Sequence, residues 1–358
     1  MSKTMNAAVL HERGVLRVEV NAVPVPAPDE ILLRVTTAGV CGTDVGEYQH
    51  GPFQVPLTVR NPWSKHIGPM ILGHEFSGEV VQLGACVDQV SLGDVVASGS
   101  GVSCGNCRFR TAGRTNLCER YWTVGLHRDG GLAEYCAVPA RVCLRRPSAS
   151  VTEDAMALTQ PMSIAIHAIR RAAPRAGSSV AVVGAGGVGA FIIAALPSIS
   201  GVSDIVTIEP DSSRRAAALA LGSREAHSAI DGDAYRVGTV FEVSGTSAGL
   251  ATALELVDRA GTIAVVGLQR PHEAAGEFLR AVTFKELSVV GPSAHVFAQD
   301  FGSAVDVISK RRDWEIVAPW VQPLTDVTTR LGGVAPVEGW PIKTLFDPRI
   351  DLPRLAKY

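Results

Sequence analysis

The sequence lacks any apolar stretch long enough to cross a membrane. Its longest apolar runs, at 180–183 and 191–196, fall far short of the ~20 residues that a spanning helix needs. Residues 1–17 contain neither an apolar core nor a cleavage-site pattern, so we expect no secretory signal. These absences predict a soluble cytoplasmic protein.

The net charge is also close to zero, and cysteines are few. The 33 basic and 35 acidic residues give a formal net charge of −2 and form no basic tract, which argues against nucleic-acid or membrane partners. Seven cysteines among 358 residues are too few for a disulfide scaffold, so clustered cysteines indicate metal ligands or reactive thiols. The 46% of hydrophobic residues suffices for large cores, and the length predicts two domains.

The two halves of the chain have different patterns. Residues 1–150 contain short β-like runs between Gly- and Pro-rich turns, which is typical of an irregular, mostly β domain. After residue 176, apolar strands alternate with Ala-rich helices, which predicts an α/β domain with a parallel, doubly wound sheet. Pro197 should stop or kink the first of these helices. The predicted strands are 179–183, 204–208, 239–243, 262–266 and 287–290, and the helices are 187–196, 212–221, 250–256 and 278–284.

A glycine fingerprint lies between the first of these strands and its helix. Residues 180–190 read VAVVGAGGVGA, so that Gly184, Gly186 and Gly189 form G-x-G-x-x-G, with Gly187 and Val188 between them. The glycines permit a tight turn, a close approach of the backbone to a pyrophosphate and close helix–strand packing. The helix N-terminus would then face the phosphates.

An acidic residue follows at the spacing expected for a dinucleotide-binding domain. Glu209 ends the next predicted strand, 20 residues after Gly189, where a carboxylate accepts the ribose hydroxyls of NAD and repels the extra phosphate of NADP. Arg214 and Arg215 lie close behind and keep NADP open as the alternative. We predict that NAD is the cofactor.

Five short motifs occur in a characteristic order. They are GVCGTD at 39–44, GHE at 73–75, GGLAEY at 130–135, VVGAGGVG at 182–189 and EVSG at 242–245. With these motifs the chain resembles the zinc-dependent medium-chain alcohol and polyol dehydrogenases over essentially its whole length. The resemblance implies a GroES-like β domain from residues 1–155 and 296–358 around a central Rossmann domain at 156–295. It also implies a homodimer or homotetramer.

The resemblance further implies which residues hold the cofactors. A catalytic zinc would be held by Cys41 and His74, with Glu75 as a ligand or near neighbour; such a site takes three protein ligands and keeps one position open. Beyond the fingerprint, the predicted NAD contacts are Glu209, Arg214, Ser244, Gly267, Leu268 and Gly291.

At one further position near the zinc, this chain differs from the sugar- and diol-oxidising relatives. They often have Glu-Pro before the linking helix, whereas this chain has Gln160-Pro161. Either Gln160 or water completes the zinc shell while Glu75 stays outside, or Glu75 binds directly. The first arrangement leaves a charge of +1 on the inner shell and the second leaves zero, so the first is the stronger Lewis acid.

A second cysteine group matches the structural-zinc lobe of the family incompletely. Cys104, Cys107 and Cys118 are present, but the remaining cysteine position is Arg110. A closed structural site needs four N or S ligands, and a guanidinium cannot be one of them. A structural zinc is therefore doubtful, and the alternative is a metal-free lobe with Arg110 at or beside the former site.

The resemblance also implies a route for the substrate proton. Thr43 matches the hydroxyl that hydrogen-bonds the substrate oxygen and passes its proton outward. The relay histidine of many relatives is Gly46 here, so the proton leaves through water, or Glu47 or His50 substitutes.

The substrate is predicted only as a class. Cys41 and His74 are 33 residues apart, and the intervening segment resembles the extended loop of (R,R)-2,3-butanediol dehydrogenases. We expect oxidation of a small-molecule secondary alcohol, such as a vicinal diol or polyol, to a ketone with hydride transfer to NAD, or the reverse. Two alternatives stay open, a zinc-independent NAD(P)H carbonyl or enoyl reductase of the same superfamily and a non-catalytic NAD-binding protein.

Overall fold

The computed structural model describes residues 3–230, 235–268, 276–332 and 341–358. The strands in this part of the chain are β1 (Thr4–Glu12), β2 (Val15–Ala22), β3 (Glu30–Gly39), β4 (Met70–Ile71), β5 (Glu75–Leu83), β6 (Val95–Ser98), β7 (Gly101–Val102), β8 (Trp122–Thr123), β9 (Tyr135–Pro139), β10 (Cys143–Arg145), β11 (Ser179–Val183), β12 (Asp204–Ile208), β13 (Glu225–His227), β14 (Val237–Glu242), β15 (Val257–Val265), β16 (Ser288–Val290), β17 (Trp320–Pro323), β18 (Leu345–Asp347) and β19 (Arg354–Leu355). The helices are α1 (Gly42–His50), α2 (Arg108–Thr111), α3 (Glu153–Ala157), α4 (Thr159–Ala172), α5 (Gly187–Ser200), α6 (Ser212–Leu221), α7 (Ser247–Leu256), α8 (Gly276–Lys285), α9 (Gly302–Lys310) and α10 (Val327–Gly332).

The chain divides into two compact units. The first comprises residues 1–160, 296–336 and 343–358, and the second comprises residues 161–295 and 337–342. Both ends of the chain therefore belong to the first unit.

The first unit is built around the buried strand β3. In its eight-stranded sheet the order is β10-β6-β5-β3-β18-β17-β19, and β9 also pairs with β3. A smaller sheet has the order β2-β1-β4. Nine of the ten residues of β3 are buried, including Leu33 and Val35, and they share a core with Phe76 of β5 and Phe346 of β18. A strand buried on both faces holds its ends in place, and the candidate site lies at one of these ends.

The second unit is a doubly wound parallel sheet. Its strand order is β13-β12-β11-β14-β15-β16, and every pair is parallel. Numbered from β11, this is the order 3-2-1-4-5-6 of the dinucleotide-binding fold, whose ligands bind at the carboxyl ends of the strands. The predicted fold class is confirmed. The short strand β13 has no counterpart in the sequence prediction, because three residues carry too little periodicity to be recognised.

Helix α5 continues past Pro197, contrary to the predicted stop. It runs to Ser200 and ends at Gly201, whose φ of 71° gives the left-handed conformation common after helices. A proline removes one N–H from the helical ladder. Only a single turn follows Pro197, and the preceding segment 189–196 is fully buried, so packing outweighs this loss.

Candidate active site

Three strand ends meet where the GVCGTD and GHE motifs lie. Gly39, at the end of β3, pairs with Glu75 at the start of β5 and with Leu345 at the start of β18. Cys41 follows β3 by two residues, His74 precedes β5 by one, and Lys343 precedes β18 by two. Strand pairing therefore brings together residues from the two ends of the chain.

A thiol, an imidazole and a carboxylate converge at this point. Donor atoms of Cys41, His74 and Glu75 all lie within 4.8 Å of one another. His74 and Glu75 are buried, at 5% and 1% exposure, while Cys41 is half-buried. Sulfur, imidazole nitrogen and carboxylate oxygen are the ligands that Zn²⁺ takes in proteins, so the donor set fits zinc.

Asp44, absent from the sequence prediction, contacts two members of this cluster. Its Oδ2 accepts a hydrogen bond from the Cys41 backbone N–H at 2.8 Å, and its Oδ1 lies 3.4 Å from Nδ1 of His74. Burial alone would lower the pKa of His74, but the charges of Asp44 and Cys41 hold it well above its usual value. A carboxylate behind a ligating histidine fixes the orientation of the ring. The feature of the sequence that could have identified Asp44 is its position in the first turn of the helix that follows Cys41.

Lys343 is the second residue that the sequence prediction missed. Its Nζ lies 2.5 and 2.6 Å from the two carboxylate oxygens of Glu75, and the side chains are only 4% and 2% exposed. Burial alone would lower the pKa of Lys343, but Glu75 and Cys41 raise it, so the ammonium stays charged. No local pattern links residues 268 positions apart, and the contact appears only in the fold.

The other predicted residues near the cluster lie in different surroundings. Thr43 is half-buried in the first turn of α1, with Oγ1 3.7 Å from the Cys41 sulfur. Gln160 is buried in the first turn of α4. His50 is exposed at the last position of α1, about two helical turns from Thr43.

Glu47 makes contacts that hold a loop. Its side chain is 1% exposed, and its two carboxylate oxygens accept the backbone N–H groups of Phe53 and Gln54, each at 2.8 Å. The carboxylate therefore fastens the segment after α1 onto the helix that begins next to Cys41. These contacts describe an anchor and give no support to the predicted proton relay through Glu47.

In the second unit, the glycine fingerprint has the geometry of a phosphate-binding turn. Gly184 has a φ of 97°, and Gly186 is the N-cap of α5. A Cβ on Gly189 would come within 2.0 Å of the Gly184 carbonyl oxygen, so this position requires glycine. The residues 187 and 188 form the first turn of α5, whose free N–H groups suit a phosphate.

Glu209 and the two arginines take distinct positions. Glu209 is 6% exposed, and its Oε2 accepts the Ala185 backbone N–H within the fingerprint at 2.8 Å. Arg215 donates to the carbonyl oxygens of Glu209 and Pro210. Arg214 faces the fingerprint, since its guanidinium is the nearest group that a Cβ on Gly186 would meet, at 3.9 Å.

Two further loops at the carboxyl edge of the sheet pack against each other. A Cβ on Gly267 would lie 2.2 Å from the Gly245 nitrogen, so both loops need a bare backbone here. The buried Glu242 shapes the first of them, because its Oε1 accepts the N–H and hydroxyl of Ser244 at 2.8 and 2.5 Å. Leu268 is 82% exposed beside Gly267, and Gly291 follows β16.

The cysteine lobe also closes into a cluster. The sulfur atoms of Cys104, Cys107 and Cys118 all lie within 4.8 Å of one another, although Cys118 is 14 residues from Cys104. Arg110 is exposed on α2. The structure therefore brings together the three predicted cysteines and leaves the cationic side chain at the surface.

One chain that contains both a Rossmann unit with a phosphate-binding turn and a β unit with a thiol–imidazole cluster has the features of a dehydrogenase of the medium-chain class. Sequence models of two families match: "Alcohol dehydrogenase GroES-like domain" over residues 27–148 and "Zinc-binding dehydrogenase" over residues 187–310. Across the described ranges, none of the helices is both long and apolar enough to span a membrane.

Characterised relatives cover most of the chain. A sorbitol dehydrogenase of Bacillus subtilis is 32% identical over 76% of this chain and 77% of its own. An L-threonine 3-dehydrogenase of Pyrococcus abyssi is 32% identical over 78% and 79%. The crystal structure of 2R,3R-butanediol dehydrogenase from Bacillus subtilis superimposes with a TM-score of 0.86 at 25% identity, covering 96% of this chain and 100% of that one. The chain belongs to the zinc-dependent medium-chain dehydrogenase superfamily and is an enzyme of the alcohol dehydrogenase type.

Proposed function

We propose that this enzyme oxidises a secondary alcohol with a neighbouring hydroxyl group, a vicinal diol or polyol, to the ketone with NAD, or catalyses the reverse reduction. The observation that carries the proposal is the cluster of Cys41 and His74, with the Asp44 carboxylate 3.4 Å from the imidazole and the Glu75–Lys343 ion pair next to it. When bound to these residues and to the Rossmann unit, zinc supplies Lewis acidity and NAD supplies the hydride acceptor.

The ion pair bears on which residues would hold the metal. Both oxygens of Glu75 are engaged by the Lys343 ammonium, so its charge is already balanced. This favours the arrangement in which Cys41 and His74 bind zinc, Glu75 stays outside, and Gln160 or water completes the shell. A zinc held by one thiolate would carry a net charge of +1 and would favour negative charge on a substrate oxygen.

In this proposal Thr43 takes the substrate proton. Its half-buried hydroxyl lies beside Cys41 and can accept a hydrogen bond from the substrate hydroxyl while donating one outward. Glu47 is engaged with backbone N–H groups, and His50 is two turns away. The proton therefore passes from Thr43 to water.

The position of Glu209 supports NAD as the cofactor. A buried carboxylate that is fixed against the fingerprint turn repels a phosphate on the adjacent ribose. Arg214 is the counter-argument, because its guanidinium faces Gly186 and could pair with that phosphate. Comparing kcat/KM for NAD and NADP on one substrate separates the two, and a preference for NADP would contradict the proposal.

A second candidate substrate class is a 1,2-amino alcohol. The threonine dehydrogenase relative motivates it, since threonine has an amino group beside its secondary hydroxyl. A panel of sorbitol, (R,R)-2,3-butanediol and L-threonine decides between the classes, with NADH formation as the readout. Turnover of threonine alone would replace the diol proposal.

Zinc content tests the whole scheme. Protein purified without chelators or metal resins should contain zinc, and complete chelation should abolish turnover. Full activity after chelation would point to the zinc-independent reductase, and NAD binding without turnover of any alcohol would point to a non-catalytic protein. We also expect a homodimer or homotetramer, which light scattering measures.

A further inference from the structure

A buried carboxylate fixes the start of the long loop between Cys41 and His74. Glu47 is 1% exposed, and its two oxygens accept the backbone N–H groups of Phe53 and Gln54, each at 2.8 Å. A Cβ on Gly51 would lie 2.7 Å from Oε2 of Glu47, so the chain turns directly against the carboxylate. A buried acidic group is costly unless donors compensate it, and here two backbone donors do so. Glu47 therefore holds the backbone of residues 51–54.

The segment that Glu47 holds starts on the same side of α1 as Thr43. The two residues are four positions apart in the helix, so their side chains lie on one face, about one turn or 5.4 Å along the axis from each other. The Thr43 hydroxyl is also 3.7 Å from the Cys41 sulfur. One face of α1 therefore carries both the proposed partner of the substrate hydroxyl and the anchor of the loop.

The chain after the anchor returns to the core at once. Val55 is 4% exposed and packs in the core of the first unit. Between these two fixed points, the side chain of Phe53 is 69% exposed. The backbone of Phe53 is thus held on both sides, while its ring is accessible to a ligand. A group fixed in this way selects substrates more sharply than one on a free loop, because selectivity needs a defined geometry.

We propose that Glu47 is a positioning residue that determines which alcohols the enzyme accepts, because it holds Phe53 as an apolar surface beside Thr43. Phe53 makes the substrate contact, and Glu47 acts through it. An apolar ring next to the reacting carbon favours methyl substituents over hydroxymethyl groups, which lose water there without gaining a partner. The inference rests on the proposed function and narrows its substrate class to short diols with apolar substituents.

The variant Glu47→Gln tests the anchor. It keeps the size of the side chain but has one acceptor oxygen, so its NH₂ group would face the second backbone donor. The ratio of kcat/KM for (R,R)-2,3-butanediol to that for sorbitol, with NAD in excess, should fall about tenfold. The change should lie mainly in KM, since Thr43 is untouched. Hydrogen exchange in peptides containing Phe53 and Gln54 should become about tenfold faster. An unchanged ratio or unchanged exchange would overturn the proposal.

Asn61→Ala is the matched control in the same loop. The Asn61 side chain also accepts two backbone N–H groups, those of Trp63 and Ser64, each at 2.9 Å. Its loss loosens a turn farther along the loop and should leave the substrate ratio within about twofold of the wild type. A fall as large as that of Glu47→Gln would show that any loosening of the loop has this effect, and the specific role of Glu47 would be lost.

Phe53→Ala tests the contact without disturbing the anchor. The variant truncates an exposed side chain, so it should fold even if changes at the buried Glu47 do not. It should lower the substrate ratio about as much as Glu47→Gln and leave the hydrogen exchange of the loop unchanged. A wild-type ratio in Phe53→Ala would overturn the proposal.

This inference and the proposed function fail in different ways. A wild-type enzyme that oxidises none of the alcohols would refute both. Turnover of sorbitol in preference to (R,R)-2,3-butanediol would refute only the apolar surface at Phe53, and the proposed oxidation of diols and polyols would stand.

Discussion

The two cysteine clusters of this enzyme differ in their donor groups and in the charges that surround them. The half-buried Cys41 lies with the buried His74 and Glu75, and the ammonium of Lys343 balances the Glu75 carboxylate. The lobe has cysteines alone, of which Cys104 and Cys107 are half-buried and Cys118 is buried, in a segment that contains four arginines. The comparison shows that the ligand residues alone do not define a metal site, and that the surrounding charges decide what a bound ion can do.

Burial explains why the two clusters should respond differently to mutation. The ion pair between Glu75 and Lys343 is desolvated, so removing one partner leaves an uncompensated charge. Around the lobe, the pair of Arg108 and Glu119 is solvent-exposed at 77% and 57%, and water screens it. Large effects are therefore expected from changes in the interior and small ones from changes in the lobe.

The largest expected effect is that of Cys41→Ser. Turnover should fall about 10³-fold or more, because the Lewis acid lowers the activation free energy by several kcal/mol and the variant loses this effect. Cys107→Ser should leave turnover within about twofold under the same assay, since the lobe takes no part in the proposed chemistry. Comparable losses in both variants would remove the distinction between the clusters.

The ion pair is the next most sensitive feature. Lys343→Met leaves the carboxylate of Glu75 buried without a partner and should lower the free energy of unfolding by about 3–5 kcal/mol. The double variant Glu75→Gln/Lys343→Met should recover much of that loss, because no buried charge remains. Urea unfolding of the metal-free proteins measures both, and additive losses in the double variant would show that the two residues are not coupled.

Asp44→Asn should weaken the interior site without destroying it. The amide keeps the shape of the side chain but loses the charge behind His74, so zinc affinity should fall about 10–100-fold. Competition with a zinc chelator measures the affinity. Unchanged affinity would mean that Asp44 serves only to cap the helix.

The smallest effect concerns thiol reactivity in the lobe. With a pKa of about 7, Cys104 is half thiolate at neutral pH, so its alkylation rate should be half-maximal near pH 7 and fall about tenfold per unit below it. Burial raises the pKa of Cys136 to about 12, and this thiol should stay unlabelled throughout. Mass spectrometry of metal-free protein treated with iodoacetamide gives both rates. A Cys104 rate that keeps rising well above pH 8 would contradict the assignment.

Much of the fold follows from local patterns. The alternating strands and helices after residue 176 predict the parallel sheet, and the observed strands β11 and β12 have the predicted bounds. Helix α5 and strand β13 differ from the prediction. Helix α5 continues beyond Pro197 because its buried face is packed, and β13 forms because it pairs with β12.

In the candidate site, too, some residues were predicted from local sequence and others were found only in the structure. Short motifs contain enough information to identify Cys41, His74 and the glycines of the fingerprint, because ligand chemistry and tight turns restrict which residues can occupy those positions. Lys343 and the role of Glu47 emerged only from the structure. Sequence determined the class of enzyme and predicts which residues are metal ligands. Tertiary structure decided which charges face each other, because electrostatic pairing in a buried site depends on distances between residues that strand pairing brings together from remote parts of the chain.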